Sequence, residues 1–308
     1  MINIVGIGAN VCDTLLTVPV FPNEDTKMRA SAAVQSGGGP CATGLVAASK
    51  LGESCAFIGN LTDDSAGSFL KADMEKYEVS TEFIDVKKGY TSFTSTIWLS
   101  EETASRTCVF YRGDVPSTEL SEKQKKAIEN AQILMVDGND LSAAIDGAKE
   151  ARKNGTKVLY DAGGLYEGIE ELLKLTDILI PSEEFAIGHT GASCAEDAAG
   201  ILYQNYSPDV VVITQGKKGG LIFDGNKMKK YPAFLVDAVD SNGSGDVFHG
   251  AYAFSMVQGY FFPLHNIYSY YFSQKELFHV STIMLDMEQL EYKYPEIKEI
   301  HLFQYYHN

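Results

Sequence analysis

The chain has 308 residues, 45% of them hydrophobic and 21% charged, a globular composition that excludes a disordered or fibrous protein. Its 25 Lys and Arg stand against 41 Asp and Glu, a formal net charge of -16, the wrong sign for neutralising a phosphate backbone, so nucleic-acid binding is not expected. No apolar run approaches the roughly 18 residues of a membrane span, and no basic, cleavable leader precedes Ile4, so a cytoplasmic protein with no membrane partner is expected.

Taken in chain order, short β-branched apolar runs at Ile2–Gly8, Ala56–Ile58, Ile133–Val136, Val158–Tyr160, Ile178–Ile180 and Val210–Thr214 predict buried strands. Helix-period stretches at Cys41–Leu51, Gly67–Tyr77, Glu122–Asn130, Ala143–Asn154, Cys194–Tyr206 and Asp246–Val257 fall between or after them. Such alternation predicts an α/β fold, a mostly parallel sheet with helices on both faces. Leu15–Val20 with Lys27–Gln35, and Tyr90–Ser100 with Arg106–Tyr111, alternate polar and apolar residues without a helix between them. They predict antiparallel strands forming a small β-sheet lid. The five cysteines are odd in number and lack a CxxC pair, so buried reduced thiols are expected rather than disulfides or a zinc site.

Three glycine-rich turns carry chemistry. In Asp237–Ala251 the run Gly243-Ser244-Gly245 opens a helix, so backbone N–H groups and the positive helix end can face one anion. Asp246, in the first turn, sits where a carboxylate could take the proton of a hydroxyl attacking phosphorus held there. A Gly-x-Gly-Asp helix start is also what an ordinary capped helix looks like. In Ser36-Gly37-Gly38-Gly39-Pro40-Cys41-Ala42-Thr43 the bare backbone admits a ligand and Thr43 offers a hydroxyl, though a tight strand-to-helix turn reads the same way. Thr214-Gln215-Gly216-Lys217-Lys218-Gly219-Gly220 follows a buried strand at the edge where α/β sheets bind ligands, and it also reads as a hairpin. Gly6-Ile7-Gly8-Ala9-Asn10-Val11 lacks the last glycine of a dinucleotide fingerprint and reads as strand-end packing.

Together and in this order the motifs resemble the ribokinase (PfkB) family of carbohydrate kinases over about residues 1–259, the Gly38–Gly52 stretch matching one signature and Asp240–Ala251 the other. The resemblance implies a ribokinase-like core at 1–12, 40–88 and 112–259, a lid at 13–39 and 89–111, and ATP with magnesium as cofactors. It implies that Asp246 is the base, that Gly243, Ser244 and Gly245 form the anion hole, and that Asp13, Gly38, Gly39 and Thr43 bind the sugar. Thr214, Gly216 and Gly219 match the family's T-x-G-x-x-G nucleotide segment. The family's N-x-x-E motif falls on Ser182-Glu183-Glu184-Phe185, where both named positions differ; Ser182 is carried over as a nucleotide contact and Glu184 as the magnesium carboxylate. The stretch Phe21–Arg29 is similar to ketohexokinase-like and sulfofructose-kinase-like branches, which implies a furanose-form keto-hexose phosphorylated on a primary hydroxyl. Lys27 and Arg29 could reach an anionic group on it, or could simply be solvated lid charges. A nucleoside kinase, or a catalytically weak sugar- or nucleotide-binding regulator, remains as the alternative. Family lids pair, and Phe93, Ile97, Trp98 and Phe110 would suit a homodimer.

All 28 glycines precede residue 260, and the 49 residues from Tyr260 to Asn308 hold no glycine, no alanine and eight of the 17 tyrosines. A wall for a flat base needs small side chains, which this segment lacks. The break points to a frameshifted or otherwise replaced C-terminus.

Overall fold

The computed structural model describes residues 1–103, 105–233 and 243–259. Asp240, Ser241 and Asn242 of the second signature, and the atypical segment 260–308, lie outside the described residues. In chain order, β1 (Ile4–Ile7), β2 (Val11–Val18) and β3 (Ala32–Gly38) lead into α1 (Pro40–Lys50). Next come β4 (Cys55–Thr62), α2 (Ser65–Lys76), β5 (Ser80–Lys87), β6 (Thr94–Ser100) and β7 (Arg106–Tyr111). Then follow α3 (Glu122–Asn130), β8 (Ile133–Val136), α4 (Leu141–Asn154), β9 (Lys157–Ala162), α5 (Glu170–Leu175), β10 (Ile178–Pro181), α6 (Glu183–Thr190), α7 (Ala195–Tyr206) and β11 (Val210–Thr214). β12 (Gly220–Phe223), β13 (Met228–Tyr231) and α8 (Ser244–Val257) complete the described chain.

Nine strands form the main sheet in the order β13-β12-β11-β10-β9-β8-β1-β4-β5. From β11 to β5 every pairing is parallel, and only β12 and β13 run antiparallel. Side chains alternate across a strand, so each one feeds two cores. Val5, Ile7, Leu134, Val136, Val211 and Ile213 pack with Ile128 of α3, Ala144 of α4, Leu172 of α5 and Ala198 of α7. On the opposite face Ile4, Ile133, Met135, Val210 and Val212 pack with Leu45 of α1, Met74 of α2 and Phe248 of α8. The expected α/β architecture, helices on both faces, is therefore the observed one. Helix ends follow local chemistry: Pro40 occupies the first turn of α1, Ser121 and Gln124 close a capping box on α3, and Gly155 ends α4 in the left-handed region.

A separate four-stranded sheet, β3-β2-β6-β7, forms the lid. Its strands start earlier than the sequence suggests at β2 and later at β3. One pairing also corrects the antiparallel expectation: β2 and β6 run parallel, because the chain passes through β4, α2 and β5 between them and re-enters in the same direction. β5, β13, α5 and α6 are not legible in the sequence; α5 and α6 have six and eight residues, too short for a clear 3.6-residue period, and β5 and β13 bury one and none of their residues. The thiol expectation holds for Cys12, Cys41 and Cys55, which are buried, but Cys108 on β7 is exposed and Cys194 half-buried.

Candidate active site

The contact between α1 and α8 builds the site. Gly44 and Gly250 meet backbone to backbone, and a Cβ on Gly250 would overlap the Gly44 carbonyl oxygen. This close crossing puts Thr43 and Asp246, one residue and four residues from the contact, on one cleft of about 450 Å³ together with Asp13, Gly38, Gly39 and Gly243. A Cβ on Gly243 would lie 3.6 Å from Thr43 Cγ2 and 3.8 Å from Asp246 Oδ2, so these three groups share one small space. Gly243, the N-cap of α8, holds φ at 72°, a left-handed turn, and as glycine it offers no side chain to the first-turn N–H groups, which at a helix start suit an anion. Ser244 begins the helix and Gly245 is exposed, so no Cβ shields the backbone there.

Asp13 comes from β2 and is nearly buried; its Oδ1 accepts a hydrogen bond from Ser95 Oγ at 2.6 Å. Gly38 is required beside it, because a Cβ there would overlap Asp13 Oδ2. Gly39 turns at φ 93°, with its missing Cβ 2.6 Å from the Ala9 carbonyl oxygen. Burial raises the Asp13 carboxyl above the ordinary range, and the Ser95 hydrogen bond opposes it.

Three groups behind Asp246 escaped the sequence reading. Asp137, directly after β8, is buried; its Oδ2 accepts from Ala9 N at 2.8 Å and Cys41 N at 3.0 Å, and its Oδ1 from Asn139 N at 2.8 Å. It thereby ties the turn after β1 to the start of α1. Gly8 is glycine for packing, since a Cβ would meet that carboxylate, which agrees with the strand-end reading. Asp161, next to last in β9, is also buried, and His249 lies one turn past Asp246 with Nδ1 3.2 Å from Asp161 Oδ2. His249 Nδ1 is 2.6 Å from the Gly245 carbonyl and Nε2 is 3.0 Å from the Ile180 carbonyl; a neutral imidazole has one N–H and donates to one of the two, so the ring sits between the start of α8 and β10 with a single donated bond. Burial, then the neighbouring Asp161, pushes the Asp246 carboxyl up to about 7, with His249 opposing the shift. Burial also raises Asp161 and lowers His249. The available signal was acidic residues placed directly after, or at the end of, buried strands at a binding edge.

The expected nucleotide residues gather elsewhere, at the carboxyl ends of β10 and β11. A parallel bridge joins Ser182 to Thr214. Gly216 (φ 54°) opens a short 3-10 turn, Gly219 (φ 91°) closes it, and a Cβ on Gly219 would overlap the Tyr231 carbonyl oxygen. The hairpin reading of this segment is also observed, since β11 and β12 pair antiparallel. Ser182 is the N-cap of α6, its Oγ accepting from Phe185 N at 3.1 Å. Glu184 is exposed, and the carboxylate that α6 brings to this segment is Glu183, which accepts from Gln215 Nε2 at 2.7 Å and faces Lys218 Nζ at 3.4 Å. Successive helical residues point about 100° apart, so only one of the two can face the loop. Phe185 is buried against Tyr160 and stacks on His189.

Residues 1–262 match the pfkB family carbohydrate kinase profile. The chain belongs to the pfkB family of carbohydrate kinases. It is 25% identical over 258 residues to a ribokinase of Haemophilus influenzae, covering 82% of this chain and 84% of that one. Aminoimidazole riboside kinase of Salmonella typhimurium is 28% identical over 235 residues, covering 71% and 73%. In fold it is similar to Arabidopsis thaliana ribokinase solved with ribose and ATP, with TM-score 0.78 and 22% identity over 89% of this chain and 92% of that one. Thermotoga maritima ribokinase gives TM-score 0.78 at 22% identity, covering 91% and 94%. As a pfkB kinase the chain is an ATP-dependent phosphotransferase acting on a hydroxyl group. Among the described residues no helix is long and apolar enough to cross a membrane.

Proposed function

We propose that this pfkB kinase transfers the γ-phosphoryl group of ATP to a primary hydroxyl of a small sugar, a keto-hexose in its furanose ring. One observation carries the reading: Asp246, Asp13 and the bare Gly38–Gly39 backbone meet in a single cleft with Gly243 at the N-terminus of α8. Asp13 and Thr43 hold sugar hydroxyls, Asp246 takes the proton of the attacking hydroxyl, and the Gly243, Ser244 and Gly245 backbone donates to the transferring phosphoryl oxygens. Thr214, Gly216, Gly219 and Ser182 lie along the nucleotide, which supplies the phosphoryl group.

Magnesium fits less well than ATP. Among the described residues no group of three His, Cys, Asp or Glu side chains could hold a metal ion. Glu184 is exposed and Phe185 buried where the family motif has its acidic residue, so magnesium is read as arriving on the phosphates, which suits an ion that needs only one or two carboxylates. The reading places the enzyme in the cytoplasm. It also keeps a lid-to-lid homodimer, resting on exposed Val109, Phe110 and Tyr111 of β7; Ile97 is buried, and it, Phe93 and Phe110 line the cleft.

The resemblance to a riboside kinase supports one second reading, a nucleoside acceptor. ATP-dependent phosphate transfer over a panel of ketoses, aldoses and nucleosides decides between them. Turnover of a free ketose, not inhibited by nucleosides, is the expected result, and turnover of nucleosides alone replaces it with the second reading. No transfer to any acceptor leaves a regulator.

A further inference from the structure

The cleft is longer than its reacting end. Along α1 its wall runs from Thr43 through Val46 to Lys50, about 10 Å at the rise of an α-helix, and α2 closes the far end with Asp73, Met74 and Tyr77. Asp73 is placed there by the first residue of the triple glycine. A Cβ on Gly37 would overlap Asp73 Oδ2, so the carboxylate lies directly against the Gly37 backbone. Gly37 thus makes room for Asp73 as Gly38 makes room for Asp13. Burial raises the Asp73 carboxyl, with Lys76, Gly37 N–H and Lys50 opposing, in the same direction as for Asp13.

The charges along this wall are one-sided. Asp13, Asp73 and Asp246 line the cleft, and Lys50 is the one cation among the described lining residues, its Nζ 4.7 Å from the centre of the Tyr77 ring. Lys27 and Arg29, the two basic residues that the sequence offered to an anionic substituent, are exposed before β3 and do not line the cleft. Arg106 on β7 is exposed and does not line it either, although its charge reaches Asp246 and opposes the upward shift of that carboxyl. Carboxylates accept hydrogen bonds from hydroxyls and repel phosphate and carboxylate groups.

We propose that this cleft selects an uncharged polyhydroxylated acceptor, with Asp73 as a specificity residue that accepts a hydrogen bond from a substrate hydroxyl remote from the one phosphorylated. The proposal rests on the kinase reading above and narrows it, since sugar phosphates and sugar acids are excluded as acceptors.

The test compares fructose, fructose 6-phosphate and gluconate as acceptors for the full-length protein with ATP and magnesium. The expected kcat/KM for fructose exceeds that for either anion by at least about 100-fold. In Asp73→Asn, which keeps the size of the side chain against Gly37, KM for fructose rises about tenfold while kcat stays within about twofold, the split expected when a hydrogen bond to a charged group is weakened uniformly. A preference for either anion, or an unchanged KM in the variant, overturns the proposal. The wild-type comparison stands by itself should the variant fail to fold. Calorimetric binding of the same three compounds separates the two readings: if nothing is phosphorylated the kinase reading falls, whereas binding of fructose alone still supports the charge selection and binding of an anion, or of none of the three, overturns it.

Discussion

Gly44 and Gly250 touch without a side chain between them, and that contact aligns the two motifs of the site. A methyl group at Gly250 would strike the Gly44 carbonyl oxygen, which is backbone and cannot rotate away. Gly250→Ala is expected to cost about 1–3 kcal/mol by overpacking and to lower turnover by moving Thr43 relative to Asp246. Urea unfolding together with steady-state kinetics checks it; full stability and full turnover in the variant would show that α1 and α8 can separate freely.

Asp246→Asn keeps the size of the side chain and removes the base. Turnover should fall by at least the roughly 10² to 10⁴ that general-base catalysis supplies, with sugar affinity little changed. Single-turnover phosphate transfer and calorimetric sugar binding read the two quantities separately. Retained turnover removes Asp246 from the base role.

The pH profile follows from the same carboxyl. A base must be ionised to act, and Asp246 is pushed up to about 7, so kcat is expected to rise with pH through about 7 and level off above it. Folding runs the other way: a carboxyl raised on folding stabilises the protein below its unfolded value of 3.8, and that contribution is lost as pH rises through about 7. A rate already flat from pH 5 to 8 contradicts the shift, because an ordinary aspartate is fully ionised over that range.

Gly38→Ala should push Asp13 out of place and raise the sugar KM, since the added methyl would overlap its carboxylate. Gly200→Ala in α7 serves as the control. It has open space around the new methyl and a helix interior, where alanine is better than glycine by about 0.5–1 kcal/mol, so thermal stability should increase with KM unchanged. Equal KM values for both variants would detach Asp13 from the sugar.

The composition break at Tyr260 has its own test in the coding DNA. Translating the region after the Gly259 codon in the other two frames is expected to reveal an alanine-rich stretch followed by a glycine-rich turn, the pattern that the ribokinase resemblance leads one to look for. Absence of that pattern from both frames makes 260–308 a genuine replacement.

The α/β alternation, the two glycine signatures and the start of α8 were legible in the sequence because each rests on local rules: side-chain period, glycine where backbone must turn, and a helix that begins without a side-chain cap. Asp246 could be singled out for the same reason, since its place in the first helical turn is set by the residues beside it. What a residue meets across the fold is not encoded locally. Gly37 reads as one more glycine until α2 brings Asp73 over it, and Gly250 as a helix-weakening residue until α1 crosses it. The resemblance carries the magnesium role to Glu184, beside the position where the motif has its acidic residue, whereas the contact of Glu183 with Gln215 is visible only once α6 is placed. His249 lies inside the second signature, but its role is not legible there, because its partners, Asp161 and Ile180, come from strands about 70 to 90 residues away and meet it only when the parallel sheet brings its carboxyl edges together.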